Sequence, residues 1–400
     1  FRQWVPGLGH RACCQQFSNM AGAETSTGRR VLPKSARLPR LAVLLAGLLA
    51  GNLRRLPVFT SGWGAAQLRS RQPRRALGSA ALGNRGPLAP SVPEGLDEVE
   101  EGLAQAAFAR YEGVELKLPE EYAPVPVTAA FIGPQSEQSD QDSARAPLVL
   151  LHGFDSSSLE FRRLLPELEA AGQAVYFLDI LGWGFGSTEG VKSFSPAAKR
   201  AFLYAFWQQK LRGAPMVLGG ASLGGGIAID FAVAYPEAVE RLVLIDAQGF
   251  IDGAPSIGPL GPIGIKVLQS WPLRWLANQM AYFDKPRFAN DDAVRVGRLH
   301  TATDGWEEAS LNYLNSGGYT LSPLIPQVRI PVLLLWGEND EILDGHDVVP
   351  RFQSELQGPV QVVWVPSCGH VPHLEQPAET ARAIVSFLAK PLEELKASKQ

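Results

Sequence analysis

The stretch Val217-Leu-Gly-Gly-Ala-Ser222-Leu-Gly-Gly-Gly226 carries an apolar run into a serine boxed by glycines. Met216, Val217 and Leu218 read as the end of a buried strand, because a short unbroken apolar run suits a strand covered on both faces. Ile227, Ala228, Ile229, Phe231, Ala232 and Ala234 follow at helical spacing until Tyr235-Pro236, where proline stops the helix. Ser222 falls on the turn between them. Gly220-Ala-Ser222-Leu-Gly224 fits Gly-x-Ser-x-Gly, whose glycines relieve a strand-to-helix turn too crowded for β-carbons beside the serine. Such a turn lifts a hydroxyl above the strand ends. The helix start behind it aims backbone N–H groups, that of Leu223 among them, at any negative oxygen forming there. Taken alone the pattern is weak, since a glycine-rich turn with an idle serine satisfies it too. A phosphate-binding loop does not, because no Gly-Lys-Ser/Thr follows Gly226.

Outward from this turn the chain alternates between strands and helices. Strands are expected at 114–118, 127–132, 147–152, 174–180, 240–246, 331–336 and 360–365, and helices at 94–110, 196–211 and 378–389. Residues 136–146 read as a polar loop. This rhythm argues for a mostly parallel sheet with helices on both faces. It breaks at about 249–318, where Gly/Pro-rich sequence and then helical patterns with Trp271, Trp275, Tyr282 and Phe283 point to an inserted helical cap. The apolar residues Ile257, Leu260, Ile263, Val267, Leu268, Trp271, Leu276 and Met280 suit a lid over an apolar substrate, or a cap that buries its own core. The glycines of Leu181-Gly-Trp-Gly-Phe-Gly-Ser187 miss the dinucleotide fingerprint and read as a structural rim.

A serine hydroxyl is a poor nucleophile at neutral pH and needs a base with a group to orient it. Trp336-Gly-Glu-Asn-Asp340 places a carboxylate just after one strand, and Pro366-Ser-Cys-Gly-His370-Val-Pro-His373 places an imidazole just after the next. Loops at the carboxyl ends of such strands line one crevice. Asp246 and Glu338 are alternative acids, and His373 is an alternative base, although Gly369 beside His370 permits a closer approach. The order Ser222, Asp340, His370 is that of the α/β-hydrolase template.

With His152-Gly-Phe154, Gly182-Trp-Gly-Phe-Gly-Ser187, Leu335-Trp-Gly-Glu-Asn-Asp340 and Gly369-His-Val-Pro-His-Leu-Glu-Gln-Pro377, the chain resembles the α/β-hydrolase superfamily over about 112–390. The likeness is to its capped serine hydrolases, and to a subgroup found in plastids. It implies an eight-stranded, mostly parallel sheet with helices on both faces. It implies catalysis by Ser222, Asp340 and His370, with an oxyanion hole from the N–H groups of Phe154 and Leu223 and no cofactor or metal. The implied activity is hydrolysis of a small or medium apolar carboxylic or lipid ester. Carbon–carbon bond hydrolysis, cofactor-free haloperoxidase chemistry and a non-catalytic ligand receptor remain alternatives on the same frame. Epoxide hydrolases and haloalkane dehalogenases are disfavoured because they need a carboxylate where Ser222 stands. By the same likeness His152 shapes the oxyanion turn and His373 is a packed or hydrogen-bonded neighbour, while Cys368 reads by default as a small buried filler. His300 and His346 are expected on solvated loops or the cap.

Charge divides the chain. Residues 1–93 hold 14 Lys/Arg and one acid, Glu24, whereas the remainder holds 23 basic and 39 acidic residues. The basic part lacks the aromatic interleaving of a nucleic-acid arm, so no nucleic-acid partner is expected. Its basic residues 29–40 precede an eleven-residue apolar core, 41–51, too short to span a bilayer, which takes about 20. The arginine-bearing 59–75 region that follows is transit-like. Residues 1–93 therefore read as a two-part leader to a plastid, with the secretory pathway as the alternative, and 94–400 as the hydrolase domain. Three cysteines, Cys13, Cys14 and Cys368, make no disulfide framework.

Overall fold

The computed structural model describes residues 85–135, 146–254 and 261–397. The readings of 1–84, of the loop 136–145 and of Ile257 and Leu260 lie outside the described residues. Among the described residues eight strands form one sheet: β1 Tyr111–Leu116, β2 Val127–Ile132, β3 Leu148–Leu151, β4 Val175–Leu178, β5 Met216–Ala221, β6 Val239–Ile245, β7 Val332–Gly337 and β8 Val360–Val365. Their order is β1-β2-β4-β3-β5-β6-β7-β8. Only β2 runs against its neighbours.

The central strands are apolar along their whole length because both faces are covered. Leu148 and Leu150 of β3, Val243 and Ile245 of β6, and Leu333 and Leu335 of β7 enter one core. Their alternates Val149, Leu151, Leu242, Leu244, Val332 and Leu334 enter the other. Helices α1 Gly102–Ala109, α2 Leu164–Ala170 and a late helix 377–389 close the first face with Phe108, Leu164, Ile384 and Phe387. Helices α3 Pro196–Gln209 and α4 Leu223–Ala234 close the second with Phe202, Phe206 and Phe231. Strand β8 is at the sheet edge and half-buried, with only Val365 fully covered.

Between β6 and β7 the chain forms α5 Gly261–Gln269, α6 Trp271–Ala281, α7 Lys285–Phe288, α8 Asp291–Arg298 and α9 Trp306–Asn315. After β7 come α10 Gly345–Glu355, α11 Pro372–Glu375, α12 Pro377–Ala389 and α13 Leu392–Ala397. None of the helices among the described residues is long and apolar enough to cross a membrane.

Register is what serves the site. Leu151 pairs with Gly220, Ala221 with Ile245, and Ile245 with Leu335. The carboxyl ends of β3, β5, β6 and β7 are therefore level, and the residues after them emerge along one edge. Phe206 is fully buried in the second core, so Phe206→Ala is expected to cost about 3–5 kcal/mol in denaturant unfolding. Ile263→Ala, on a residue 64% exposed, is expected to change stability by no more than about 0.5 kcal/mol.

Candidate active site

Ser222 joins β5 to α4 at φ 50 and ψ −118, a conformation an L-residue occupies only under constraint. The constraint is close packing of backbone. A β-carbon at Gly220 would lie 2.4 Å from the Gly224 carbonyl carbon, and one at Gly224 would lie 2.1 Å from the Leu151 carbonyl oxygen. Glycine is the residue that fits. The turn is held by Ser222 N–H donating to the Ile245 carbonyl at 3.0 Å and by Gln248 N–H donating to the Ser222 carbonyl at 2.8 Å.

His370 stands at the same edge, after β8. Its Nδ1 is 2.7 Å from Asp340 Oδ2, while Asp340 Oδ1 accepts the N–H groups of Ile342 at 2.7 Å and Leu343 at 2.9 Å. The carboxylate is thus fixed from two sides. Burial pulls the His370 pKa down, but the charge and hydrogen bond of Asp340, with Glu160 adding to them, leave it above its ordinary value. Of the other two candidate acids, Glu338 is exposed, whereas Asp246 is buried within 4.8 Å of both Asp340 and His370. The imidazole's backbone is also fixed: His370 N–H donates to the Ala281 carbonyl of α6 at 2.8 Å. Gly369 permits that approach, since a β-carbon there would sit 2.4 Å from the same oxygen.

The loop after β3 closes the third side. Gly153 lies against Ser222, with an added β-carbon 3.5 Å from the serine's own. His152 Nε2 accepts the Ile180 N–H at 3.0 Å, so its Nδ1 carries the proton and donates to the Gly153 carbonyl at 2.9 Å. Burial pushes its pKa down to about 4, which keeps the ring neutral. Gly153 N–H donates to Glu160 at 3.1 Å, and His373 Nε2 lies 3.0 Å from the other Glu160 oxygen. Burial works against the Glu160 charge, yet His373 and His152 hold its carboxyl down at about 2. His373 therefore faces Glu160 rather than Asp340. Phe154 packs edge-on to Trp183, ring centroids 5.1 Å apart, so the glycine-rich 181–187 loop supports this turn from behind.

Asp155, next to Phe154 and itself at φ 50, ties the loop to the helical insertion. Its buried carboxylate accepts from Trp306 Nε1 at 2.8 Å and from Arg274, and His300 Nε2 lies 2.9 Å away. Burial opposes the charge, but Arg274 and His300 hold the Asp155 carboxyl down at about 2. His300 lies on the cap, one of the two places expected for it, but it is not solvated. It is fully buried, because its partner comes from a loop 145 residues away in sequence and no local pattern marks it. His346 is exposed on α10 and stacks on Trp364. Cys368 is buried, and burial pushes its thiol pKa up.

Ser222, Phe154 and His370 line one cavity of about 250 Å³, and α6 and α8 roof it. Leu268, Leu273, Ala277, Val294 and Val296 give it an apolar wall. Of the apolar residues singled out for a lid, Leu268 reaches this wall while Ile263 and Val267 face outward. Leu273 and Ala277 carry the role instead. The charged lining groups are already engaged. Arg274 donates to Asp155 and to the Leu268 carbonyl, Arg162 donates to Glu101 and the Leu159 carbonyl, and Glu160 accepts from Gly153.

A model of the Alpha/beta hydrolase family matches residues 148–383. The chain is 35% identical over 300 residues to the Alpha/beta hydrolase domain-containing protein VTE7 of Arabidopsis thaliana, covering 74% of this chain and 89% of that protein. It is 28% identical over 252 residues to Lipase 1 of Psychrobacter immobilis, covering 61% and 77%. A thermophilic esterase from Thermogutta terrifontis shares the fold with a TM-score of 0.56 at 21% identity, over 71% of this chain and 99% of that one. With the sheet order, the elbow and these matches together, the chain belongs to the alpha/beta hydrolase family.

Proposed function

We propose that the protein is a serine hydrolase that cleaves an uncharged apolar ester. Ser222 Oγ attacks the carbonyl carbon while His370 Nε2 takes its proton, and Asp340 holds the tautomer that leaves Nε2 free to do so. The carbonyl oxygen becomes an oxyanion facing the N–H groups of Phe154 and Leu223. Collapse expels the alcohol, protonated by His370, and water then attacks the acyl-enzyme with His370 again as base. The observation that carries this reading is one arrangement. A serine held at positive φ opens onto the same cavity as an imidazole whose far nitrogen is 2.7 Å from a buried carboxylate.

The substrate class follows from the wall. Its side chains are largely apolar, and Arg162 and Arg274 already spend their donors on the protein. A charged group on the acyl side would displace those bonds, whereas a neutral apolar chain displaces only water. The similarity to Lipase 1 of Psychrobacter immobilis supports ester chemistry.

A fluorophosphonate probe is expected to label the wild-type protein and to leave Ser222→Ala unlabelled. Asp340→Asn is expected to fold and to lose about 10⁴-fold in kcat on a p-nitrophenyl ester, because the imidazole then takes the wrong tautomer. Full labelling of Ser222→Ala would end the proposal. His370 must be neutral to act as base and its pKa is raised, so activity falls as pH drops. The midpoint of that acid limb is expected above the ordinary imidazole value of about 6.5. A limb centred below that value would remove Asp340 as its partner.

We also assign residues 1–93 to plastid targeting. The basic stretch, the short apolar core and the arginine-bearing region after it support this, as does the plant source of the VTE7 relative. A fluorescent protein fused behind residues 1–93 is expected in the plastid of an algal or plant cell. Accumulation along the secretory route would refute that address.

A further inference from the structure

Asp246 follows β6 at φ 42 with its side chain fully buried. Its Oδ1 accepts the Gly337 N–H at 3.0 Å, and no donor reaches its Oδ2. Its neighbour is the other carboxyl group, Asp340. One oxygen from each and an imidazole nitrogen of His370 lie within 4.8 Å of one another. Two ionised carboxylates in contact and out of water repel strongly, so one member of such a pair keeps a proton.

The donors around the pair decide which one. Asp340 accepts two backbone N–H groups and faces the His370 ring, which together stabilise an anion. Asp246 accepts one. Every oxygen of the pair except Asp246 Oδ2 already accepts a hydrogen bond, which suits a shared proton better than a cation. Burial and the Asp340 charge both push the Asp246 pKa well above the carboxylate range.

We propose that Asp246 stands neutral and donates a hydrogen bond from Oδ2 to the Asp340 carboxylate, as a positioning residue that fixes the acid beneath His370. The inference rests on the reading of Ser222, His370 and Asp340 as the reacting set. It gives Asp340 a donor at the sheet end as well as donors from its own loop. The site beneath the imidazole then carries one negative charge instead of two. The other titratable groups turned toward it are Glu160 from the turn after β3, and Cys368 and Glu375 from the loop and helix around His370. Cys368 is protonated, and Glu375 is occupied by the N–H groups of Gly369, Phe283 and Asp284.

The sign of a pH shift tests the proposal. Asp246→Ala removes the donor, concentrates charge on Asp340 and is expected to raise the acid limb of kcat/KM by about half a unit, with kcat about tenfold lower. Asp246→Asn, whose amide N–H donates where the O–H did, is expected to restore both. If Asp246 is ionised, either variant removes a negative charge and the limb moves down. If Asp246 only fills space, the limb stays put in both variants while Asp246→Ala loses stability. Either outcome overturns the proposal. NMR titration of the His370 ring in a Ser222→Ala background reads the same shifts without turnover. It also serves if Asp246→Ala does not fold, because a downward shift in Asp246→Asn alone is decisive against a neutral donor. Absence of fluorophosphonate labelling in the wild type marks failure of the hydrolase reading instead, independently of these shifts.

Discussion

Parallel pairing with level strand ends is the constraint on which the site depends. Leu151, Gly220, Leu244 and Leu334 stand side by side across four strands. The next few residues of each strand must therefore leave the sheet at one edge. His152 to Asp155, Ser222, Asp246 and Asp340 meet there although they span almost half the chain. A slip of one residue in β5 would turn Ser222 to the wrong side of the pleat and, in one direction, would bring Leu218 opposite Val243 in place of Gly219. An added β-carbon at Gly219 already lies 2.3 Å from the Val243 carbonyl oxygen. The glycines thus set the register and the elbow together.

Once the edge is fixed, buried carboxylates hold the loops along it. Asp179 accepts the N–H groups of Ser158 and Phe185 and the hydroxyl of Tyr111, which ties the loops after β3 and β4 to the start of β1. Glu160 holds Gly153, Glu375 holds Gly369 and the chain after α6, and Asp340 holds its own turn and His370. A loop cannot use a ladder to satisfy its backbone, and a carboxylate that accepts two or three N–H groups is the strong alternative. Their burial is costly, and their partners offset that cost. For Asp179 burial dominates and lifts its pKa to about 6, whereas for Asp155 and Glu160 the cationic and imidazole partners win.

How much of this was legible followed from the range of each interaction. The strands, the elbow and the positions of Asp340 and His370 were readable because each leaves a local signature: an apolar run, a glycine box, or a polar residue just after a strand. Asp155, Glu160 and His300 left none. The partners of Asp155 lie 145 residues away at His300 and 151 at Trp306, and a carboxylate or imidazole in a polar stretch looks the same whether it faces water or a buried arginine. The outer strand β8 is apolar except for Gln361 yet half-buried, because edge position is a property of topology rather than of composition. Helical spacing places apolar residues on α5 and α6 without saying which side meets the cavity, which Leu273 and Ala277 line while Ile263 and Val267 face outward.

The insertion between β6 and β7 is bonded into the site and is more than a cover. The Ala281 carbonyl at the end of α6 receives the His370 N–H, and Arg274, His300 and Trp306 converge on Asp155, the neighbour of Phe154. Under the proposed mechanism one contact aligns the base and the other set aligns the oxyanion turn. The first is a backbone hydrogen bond and the second a buried, partly charged cluster, and such bonds weaken steeply when bent or stretched. Geometry at the reacting atoms is therefore coupled to the packing of α6 and α9 onto the sheet. A change that shifts those helices would move the Asp155 and His370 contacts as well as the shape of the apolar wall, since Leu273 and Ala277 ride on the same helix as Arg274 and Ala281. The apolar wall and the contacts to Asp155 and His370 share one structural element, and sequence changes in α6 act on both at once.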